Sequence, residues 1–124
     1  MGHLTVEENI RMQMLVARKL DERWLNQLIS LVGLGERRHA YPSQLSGGEL
    51  ARAGLSVALA AKPKLLLADE PTGEVDTETE AQIMRLFEDR RKNGDATLVA
   101  THSRALADSA DRIVRLLDGE VIDG

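Results

Sequence analysis

The chain of 124 residues contains no cysteine, which excludes a disulfide framework, a thiolate zinc site and a cysteine nucleophile. Aromatic residues are scarce, since Trp24, Tyr41 and Phe87 are the only three. The sequence has no apolar run long enough to span a membrane, and its first residues lack the basic and then apolar pattern of a signal peptide. The hydrophobic core must therefore be built from Leu, Val, Ile, Ala and Met side chains.

Positive charge is not in excess either, because 16 basic residues stand against 20 acidic ones and give a net charge of −4. This balance argues against a nucleic-acid surface, and we expect no nucleic-acid partner. Hydrophobic residues make up 43% and charged residues 29% of the chain, which is typical of a folded domain. The sequence predicts a soluble, cytoplasmic piece the size of one domain.

The first half of the chain carries helical patterns, and the second half alternates strands and helices. Thr5 and Asp21 are placed to cap two helices, and an Ala- and Leu-rich third helix is predicted near residues 48–61. Residues 64–68 and 96–100 are short apolar runs typical of buried parallel strands. This order predicts an α/β layer with a parallel sheet after a helical region.

Two local sequence features complete the predicted second half. Asp76 is placed to cap the helix between the two strands. Asp118-Gly119 separates two further apolar runs and is typical of a two-residue β-hairpin. We therefore expect the chain to end in a hairpin.

Polar residues follow both predicted strands directly. Asp69 and Glu70 come after the first strand, and Thr101 and His102 after the second. Ligands of parallel α/β sheets bind beyond the carboxyl ends of the strands. Because neighbouring residues of a strand point to opposite sides, one carboxylate can bind a hard cation while the other orients a water, as nucleotide hydrolysis requires. Taken singly, an acidic pair after an apolar strand is also typical of the start of a solvated loop. A histidine before a serine cap is likewise typical of an ordinary turn.

A second candidate is Leu45-Ser46-Gly47-Gly48-Glu49, which opens the third helix. Two glycines let backbone amides approach a ligand closely, and a helix N-terminus carries partial positive charge, so the segment can bind a phosphate. Ser46 and Glu49 also have the spacing of a capping box, which is the structural alternative. A cap alone does not require two consecutive glycines, and this favours phosphate binding.

Together these segments resemble the ATP-binding-cassette (ABC) ATPase family. Residues 45–49 resemble its signature motif, and residues 65–71 its Walker B strand with the following catalytic glutamate. Residues 73–76 are similar to its D-loop, and His102 to its switch histidine. Order and spacing agree with the family across residues 41–124.

The resemblance implies a P-loop NTPase-like α/β fold, with residues 1–62 as the helical subdomain that carries the signature and residues 63–124 as the C-terminal half of the RecA-like core. It implies ATP and Mg²⁺ as cofactors, a second ATP-binding subunit in a dimer, and a transmembrane permease as a partner. It also implies a cytoplasmic location at the inner face of the cell membrane. Residues 68–73 and 111–114 are most similar to exporters of lipoproteins and antimicrobial peptides.

The family's residue roles transfer to matching positions of this sequence. By the resemblance, Asp69 would hold Mg²⁺ through water, and Glu70 would orient or deprotonate the attacking water. His102 would contact the γ-phosphate, and Asp76 would couple the two sites of a dimer. The signature loop would bind nucleotide through Ser46, Gly47, Gly48 and Glu49. The first three of these residues would bind the γ-phosphate of ATP held by the opposing subunit.

The chain departs from the family because no glycine is followed by lysine, so the phosphate-binding loop GxxxxGK[ST] is absent. The adenine-stacking aromatic and the Q-loop glutamine are absent with it. The sequence is thus similar to the C-terminal part of an ABC ATPase domain. We expect it to be inactive alone, without tight ATP binding, and its sheet to self-associate or rearrange. Glu74 and Val75 also differ from the small or uncharged residues commoner in the D-loop.

Two other functions are compatible with some of these features. One is a non-catalytic interaction module that presents its signature loop in trans to a complete ATPase. The other is a DNA-maintenance ATPase, which the short, cysteine-free interval from Thr5 to Gln44 disfavours.

Overall fold

The computed structural model describes residues 2–123, in which a helical region is followed by alternating strands and helices. The structure confirms the predicted mixed α/β fold with a parallel sheet and a terminal hairpin. Short 3-10 helices at Gly35–Arg37 and Pro42–Gln44 join the second and third α-helices. The elements are α1 (Val6–Val16), α2 (Glu22–Leu31), α3 (Gly47–Leu59), β1 (Leu65–Asp69), α4 (Thr77–Lys92), β2 (Ala96–Ala100), α5 (Arg104–Asp108), β3 (Arg115–Leu117) and β4 (Glu120–Asp123).

Side-chain caps fix where the helices begin. The Thr5 hydroxyl accepts a hydrogen bond from the Glu8 amide at 3.2 Å, and the Glu8 carboxylate accepts one from the Thr5 amide at 2.9 Å. Asp21 accepts from the Trp24 amide at 3.0 Å. Each bond satisfies an amide that has no partner within its helix. The predicted caps of α1 and α2 are therefore confirmed.

The main hydrophobic core lies among α1, α2, α3 and the turns that join them. Trp24 packs against this core, and its indole Nε1 donates to the Leu59 carbonyl at 3.2 Å. Because the chain has so few aromatics, the core is almost entirely aliphatic. Its most deeply buried side chains in this region are Val6, Ile10, Met14, Leu25, Leu28, Ile29, Val32, Leu34 and Leu59.

The parallel sheet of β1 and β2 is covered on one face only. The strands pair in register from Leu65 opposite Ala96 to Asp69 opposite Ala100. Leu66 joins the core together with Ile83 of α4. The other face exposes three leucines, at 60% for Leu65, 65% for Leu67 and 66% for Leu98. The apolar runs predicted buried strands, and this is wrong for the open face, because within residues 2–123 no element covers these side chains.

The terminal hairpin forms as predicted. β3 and β4 are antiparallel, with Leu116 opposite Val121. Asp118 and Gly119, which join them, have φ angles of +50° and +80°. A two-residue turn of this kind requires left-handed backbone at both positions, which Asp and Gly tolerate well. In the part of the chain that the structure describes, no helix is both long and apolar enough to cross a membrane.

Candidate functional site

The carboxyl ends of β1 and β2 bring the predicted acidic pair beside the predicted histidine. Asp69 closes β1, and the Glu70 amide donates to the Ala100 carbonyl at 2.8 Å, so the chain is still held to β2 at that point. Glu70 then adopts a φ of +45°, in the left-handed region that side chains other than glycine seldom occupy. The chain thus turns sharply where the candidate catalytic carboxylate stands.

Two donors from the end of β2 hold the Glu70 carboxylate. Oε1 accepts from the His102 amide at 2.7 Å, and Oε2 accepts from the Thr101 hydroxyl at 3.2 Å. The Ser103 amide donates to the same Thr101 hydroxyl at 2.9 Å. The His102 imidazole is fully exposed, with Nε2 at 3.9 Å from Glu70 Oε1. The structure therefore brings Glu70, Thr101 and His102 together.

Asp69 lies in different surroundings from Glu70, as the alternation along a strand predicts. It lines an open cleft between α3 and β1 together with Gly47, Leu50 and Pro71. Among residues 2–123 there is no group of three His, Cys, Asp or Glu side chains that could hold a metal by themselves. Mg²⁺ commonly keeps several waters and uses only one or two carboxylates, with substrate phosphates as further ligands. An exposed carboxylate at the strand end fits that mode of binding.

The signature segment forms the N-terminus of α3. The Ser46 hydroxyl accepts from the Glu49 amide at 3.1 Å, and the Glu49 carboxylate accepts from the Ser46 amide at 2.9 Å. This amide bond is the main reason why the pKa of Glu49 lies below its ordinary value, with a smaller contribution from Arg37, which pairs with it at 3.1 Å. The capping box is therefore present, and it engages both side chains.

The two glycines of the segment have different environments. Gly47 is exposed, and a Cβ added there would meet nothing within 4 Å. Gly48 is buried, and a Cβ there would lie 2.6 Å from the Gly73 carbonyl oxygen and 2.8 Å from Glu74 Cβ. Packing against the D-loop segment therefore explains why glycine is needed at position 48. Phosphate binding is not required to account for the second glycine of the pair.

Arg52 was not among the predicted site residues, although it links the helical region to the D-loop segment. It is buried, and its Nε donates to the Val32 carbonyl at 3.0 Å and its Nη1 to the Gly73 carbonyl at 2.9 Å. Loss of solvation lowers the pKa of Arg52 from its ordinary value, but nearby carboxylates oppose that shift. Arg52 could have been identified from the sequence, because helical spacing places it on the same face of α3 as Gly48 and Leu59. An arginine on a buried face needs buried hydrogen-bond acceptors.

Asp76 serves as the N-cap of α4. Its carboxylate accepts from the Thr79 amide at 2.8 Å, and this bond is the main cause of its lowered pKa. Within residues 2–123 no hydrogen bond joins Asp76 to Glu70 or to His102. Asp76 is exposed, so it remains available to another molecule.

Comparisons with known proteins show the family to which the chain is similar. The family model described as ABC transporter matches residues 1–73. A Thermotoga maritima protein, described as an uncharacterized ABC transporter ATP-binding protein, is 41% identical over 121 residues, which are 95% of this chain and 52% of that protein. The lipoprotein-releasing system ATP-binding protein LolD 2 of Caulobacter vibrioides is 42% identical over 118 residues, covering 92% of this chain and 52% of its own length.

A solved structure gives the same result for the fold. It is a dimeric ATP-binding cassette in a post-hydrolysis state with ADP and Pi, and it superposes with a TM-score of 0.80 at 29% identity. The match covers 99% of this chain and 56% of that one. The chain thus spans about half the length of the relatives that it matches. Sequence and fold lead to the same conclusion, and the chain belongs to the ABC transporter family.

Proposed function

We propose that this chain contributes the hydrolytic strand ends and the signature loop to an ATP-binding subunit of an ABC transporter. The observation that carries the proposal is the Glu70 carboxylate, which receives one hydrogen bond from the His102 amide and one from the Thr101 hydroxyl. It stands beside Asp69 at the carboxyl end of a parallel strand, where ligands of such sheets bind. Names of the relatives give no support to the alternative of a non-catalytic interaction module.

The proposed chemistry follows from the fixed position of Glu70. Two donors hold the carboxylate in one orientation, and its remaining lone pairs can accept a proton of a water molecule and direct that water at a γ-phosphate. The exposed His102 imidazole would contact the same phosphate. Asp69 would hold Mg²⁺ through water, and the ion would neutralise charge on the phosphates. Positioning and electrostatics thus provide most of the catalysis.

The signature loop would serve the ATP of an opposing subunit. Gly47 is exposed at the N-terminus of α3, where the helix dipole favours a phosphate. Ser46, Gly48 and Glu49 complete the proposed nucleotide-binding set, and Asp76 would couple the two sites of the dimer. The similar solved cassette is a dimer, which supports a dimeric assembly for this subunit.

The remaining proposals concern the whole protein. Residues 1–62 would be the helical subdomain and residues 63–124 the C-terminal half of the core. The subunit would act at the inner face of the cell membrane with a transmembrane permease. A lipoprotein-type substrate is supported by the name of the Caulobacter vibrioides relative.

A chimaera tests the role of Glu70, with residues 1–124 replacing the matching part of the Thermotoga maritima relative. The wild-type chimaera should hydrolyse Mg-ATP, and Glu70→Gln should lower kcat by about 100-fold or more with little change in KM, as expected for loss of a general base. Glu78→Gln, an exposed carboxylate on α4, is the matched control and should leave kcat unchanged. A folded wild-type chimaera without activity would contradict the proposal, and so would a Glu70→Gln variant of normal kcat.

A further inference from the structure

The carboxylate of Glu74 accepts a hydrogen bond from a backbone amide at the N-terminus of α3. The Gly48 amide donates to Glu74 Oε2 at 3.0 Å, across 26 positions of sequence. Gly48 is one of the residues that the proposed function assigns to a γ-phosphate. A carboxylate and a phosphate are both anions that accept from such an amide, so the two ligands cannot use it at the same time.

We propose that Glu74 is an internal competitor for phosphate, an autoinhibitory contact that keeps the signature loop closed until its carboxylate leaves the Gly48 amide. This inference rests on the proposed function, because it concerns the same signature loop. Glu74, a residue of the D-loop segment, thereby controls access to the signature loop of the same chain.

The close packing of the two segments supports this contact. An added Cβ at Gly48 would lie 2.8 Å from both Glu74 Cβ and Glu74 Oε2, so the bonded side chain fills the space beside the Gly48 Cα. Phosphate can reach the amide only if the Glu74 side chain moves away. Glu74 is exposed, so its side chain can swing into solvent without leaving a buried cavity.

The backbone of Glu74 is in an unfavourable conformation while the contact is made. Its φ is +60°, a left-handed conformation that costs energy for a residue with a side chain. The turn itself therefore does not favour Glu74 over glycine or asparagine. The hydrogen bond from Gly48 and the bond from Arg52 to the adjacent Gly73 carbonyl offset that cost.

The charges around the contact reinforce the competition. Arg52 attracts the carboxylates of Glu49, Glu74 and Asp76, and Glu49 also pairs with Arg37 at 3.1 Å, so three carboxylates stand against two guanidinium groups. A phosphate at Gly48 would add a further anion to this group. Withdrawal of the Glu74 carboxylate removes one negative charge and restores the attraction of the helix N-terminus for the incoming anion.

The test is a titration of the 124-residue chain with inorganic phosphate, followed through the Gly48 amide resonance in nitrogen–proton correlation spectra. Glu74→Gln removes the charge and keeps the shape, and Glu78→Gln is the matched control on α4. We expect Glu74→Gln to bind phosphate about three- to tenfold more tightly than the wild type and the control, given the usual strength of a charge at a helix N-terminus. Glu74→Ala, which also removes the hydrogen bond, should bind at least as tightly as Glu74→Gln.

Equal affinities in all four proteins would overturn the proposal, as would no response of the Gly48 amide in either Glu74 variant. Spectra with native dispersion show that each variant is folded, and Glu74→Ala provides the second measurement if Glu74→Gln is not. The readout does not depend on hydrolysis. An inactive chimaera with tighter phosphate binding in Glu74→Gln would refute the proposed function alone, and an active chimaera with equal affinities would refute the competition alone.

Discussion

The helical region, residues 5–61, and the sheet region, residues 64–123, differ in how completely they are packed. The helical region encloses an aliphatic core with side chains such as Leu28 and Ile29 almost fully buried. The sheet region buries Leu66 on one face and exposes Leu65, Leu67 and Leu98 on the other. The most deeply buried side chains thus lie mainly among the helices, whereas the candidate hydrolytic residues lie on the half-covered sheet.

Contacts between the two regions place the signature loop against the D-loop. Arg52 of α3 donates to the Gly73 carbonyl, and Gly48 packs without a side chain against the same turn. The helical region therefore positions the D-loop segment of the sheet region. The difference between the regions can be tested by substitutions on either side.

Leu28→Ala should have the largest effect on the free energy of unfolding. Loss of this buried side chain leaves a cavity in the helical core, and we expect a decrease of about 2–5 kcal/mol. The same change at exposed Leu67 should cost less than about 0.5 kcal/mol. Urea unfolding followed by Trp24 fluorescence measures both, and similar losses at the two positions would remove the basis of the comparison.

A substitution of Arg90 should destabilise the sheet region locally. Arg90 is buried and donates to the Thr97 hydroxyl and to the carbonyls of Pro63 and Ala96. Arg90→Met leaves these carbonyls without that donor, and we expect a loss of about 1–3 kcal/mol. Hydrogen exchange should accelerate in β2 and not in α1.

The control for this experiment is Arg85→Met, an exposed arginine of the same helix. It should leave exchange in both regions unchanged. Acceleration spread evenly over α1 and β2 in Arg90→Met would mean that the two regions unfold as one unit.

The helical region should lose stability in acid through Glu7. Hydrogen bonds from Arg11 at 2.8 Å and Arg38 at 2.9 Å lower the pKa of the Glu7 carboxyl below its ordinary value of 4.5. A carboxyl with a lowered pKa in the folded state stabilises the protein above the unfolded pKa. That contribution is lost as the pH falls from the ordinary value through the folded one.

Glu7→Gln should therefore cost about 1 kcal/mol at neutral pH and flatten the decline in acid. Trp24 fluorescence in urea at a series of pH values measures this. Glu36→Gln, an exposed carboxylate, should follow the wild-type profile. An unchanged acid profile in Glu7→Gln would show that the Arg11 and Arg38 bonds do not stabilise the folded state.

Local features of this fold could be predicted from the sequence, and contacts between distant segments could not. The caps at Thr5, Asp21 and Asp76 involve residues three positions apart, so the spacing alone reveals them. The meeting of Glu70 with His102 also followed, because parallel strands end at the same edge of a sheet.

The rest depends on how separate elements pack together. The bond of Glu74 to Gly48 and the bonds of Arg52 join segments 20 or more residues apart, and no local pattern encodes them. Which face of β1 and β2 stays open also could not be predicted from the apolar runs. An apolar run indicates that a strand can be buried on both faces, but not whether other elements cover them.

We propose that these 124 residues provide only the strand-end and signature portions of an ATP site, since they contain no GxxxxGK[ST] loop. Calorimetric titration of the chain with Mg-ATP, beside a Glu70→Gln sample, tests it most directly. We predict no detectable binding in either protein. Micromolar binding would contradict the account, because it would require a phosphate site made by other residues of this chain.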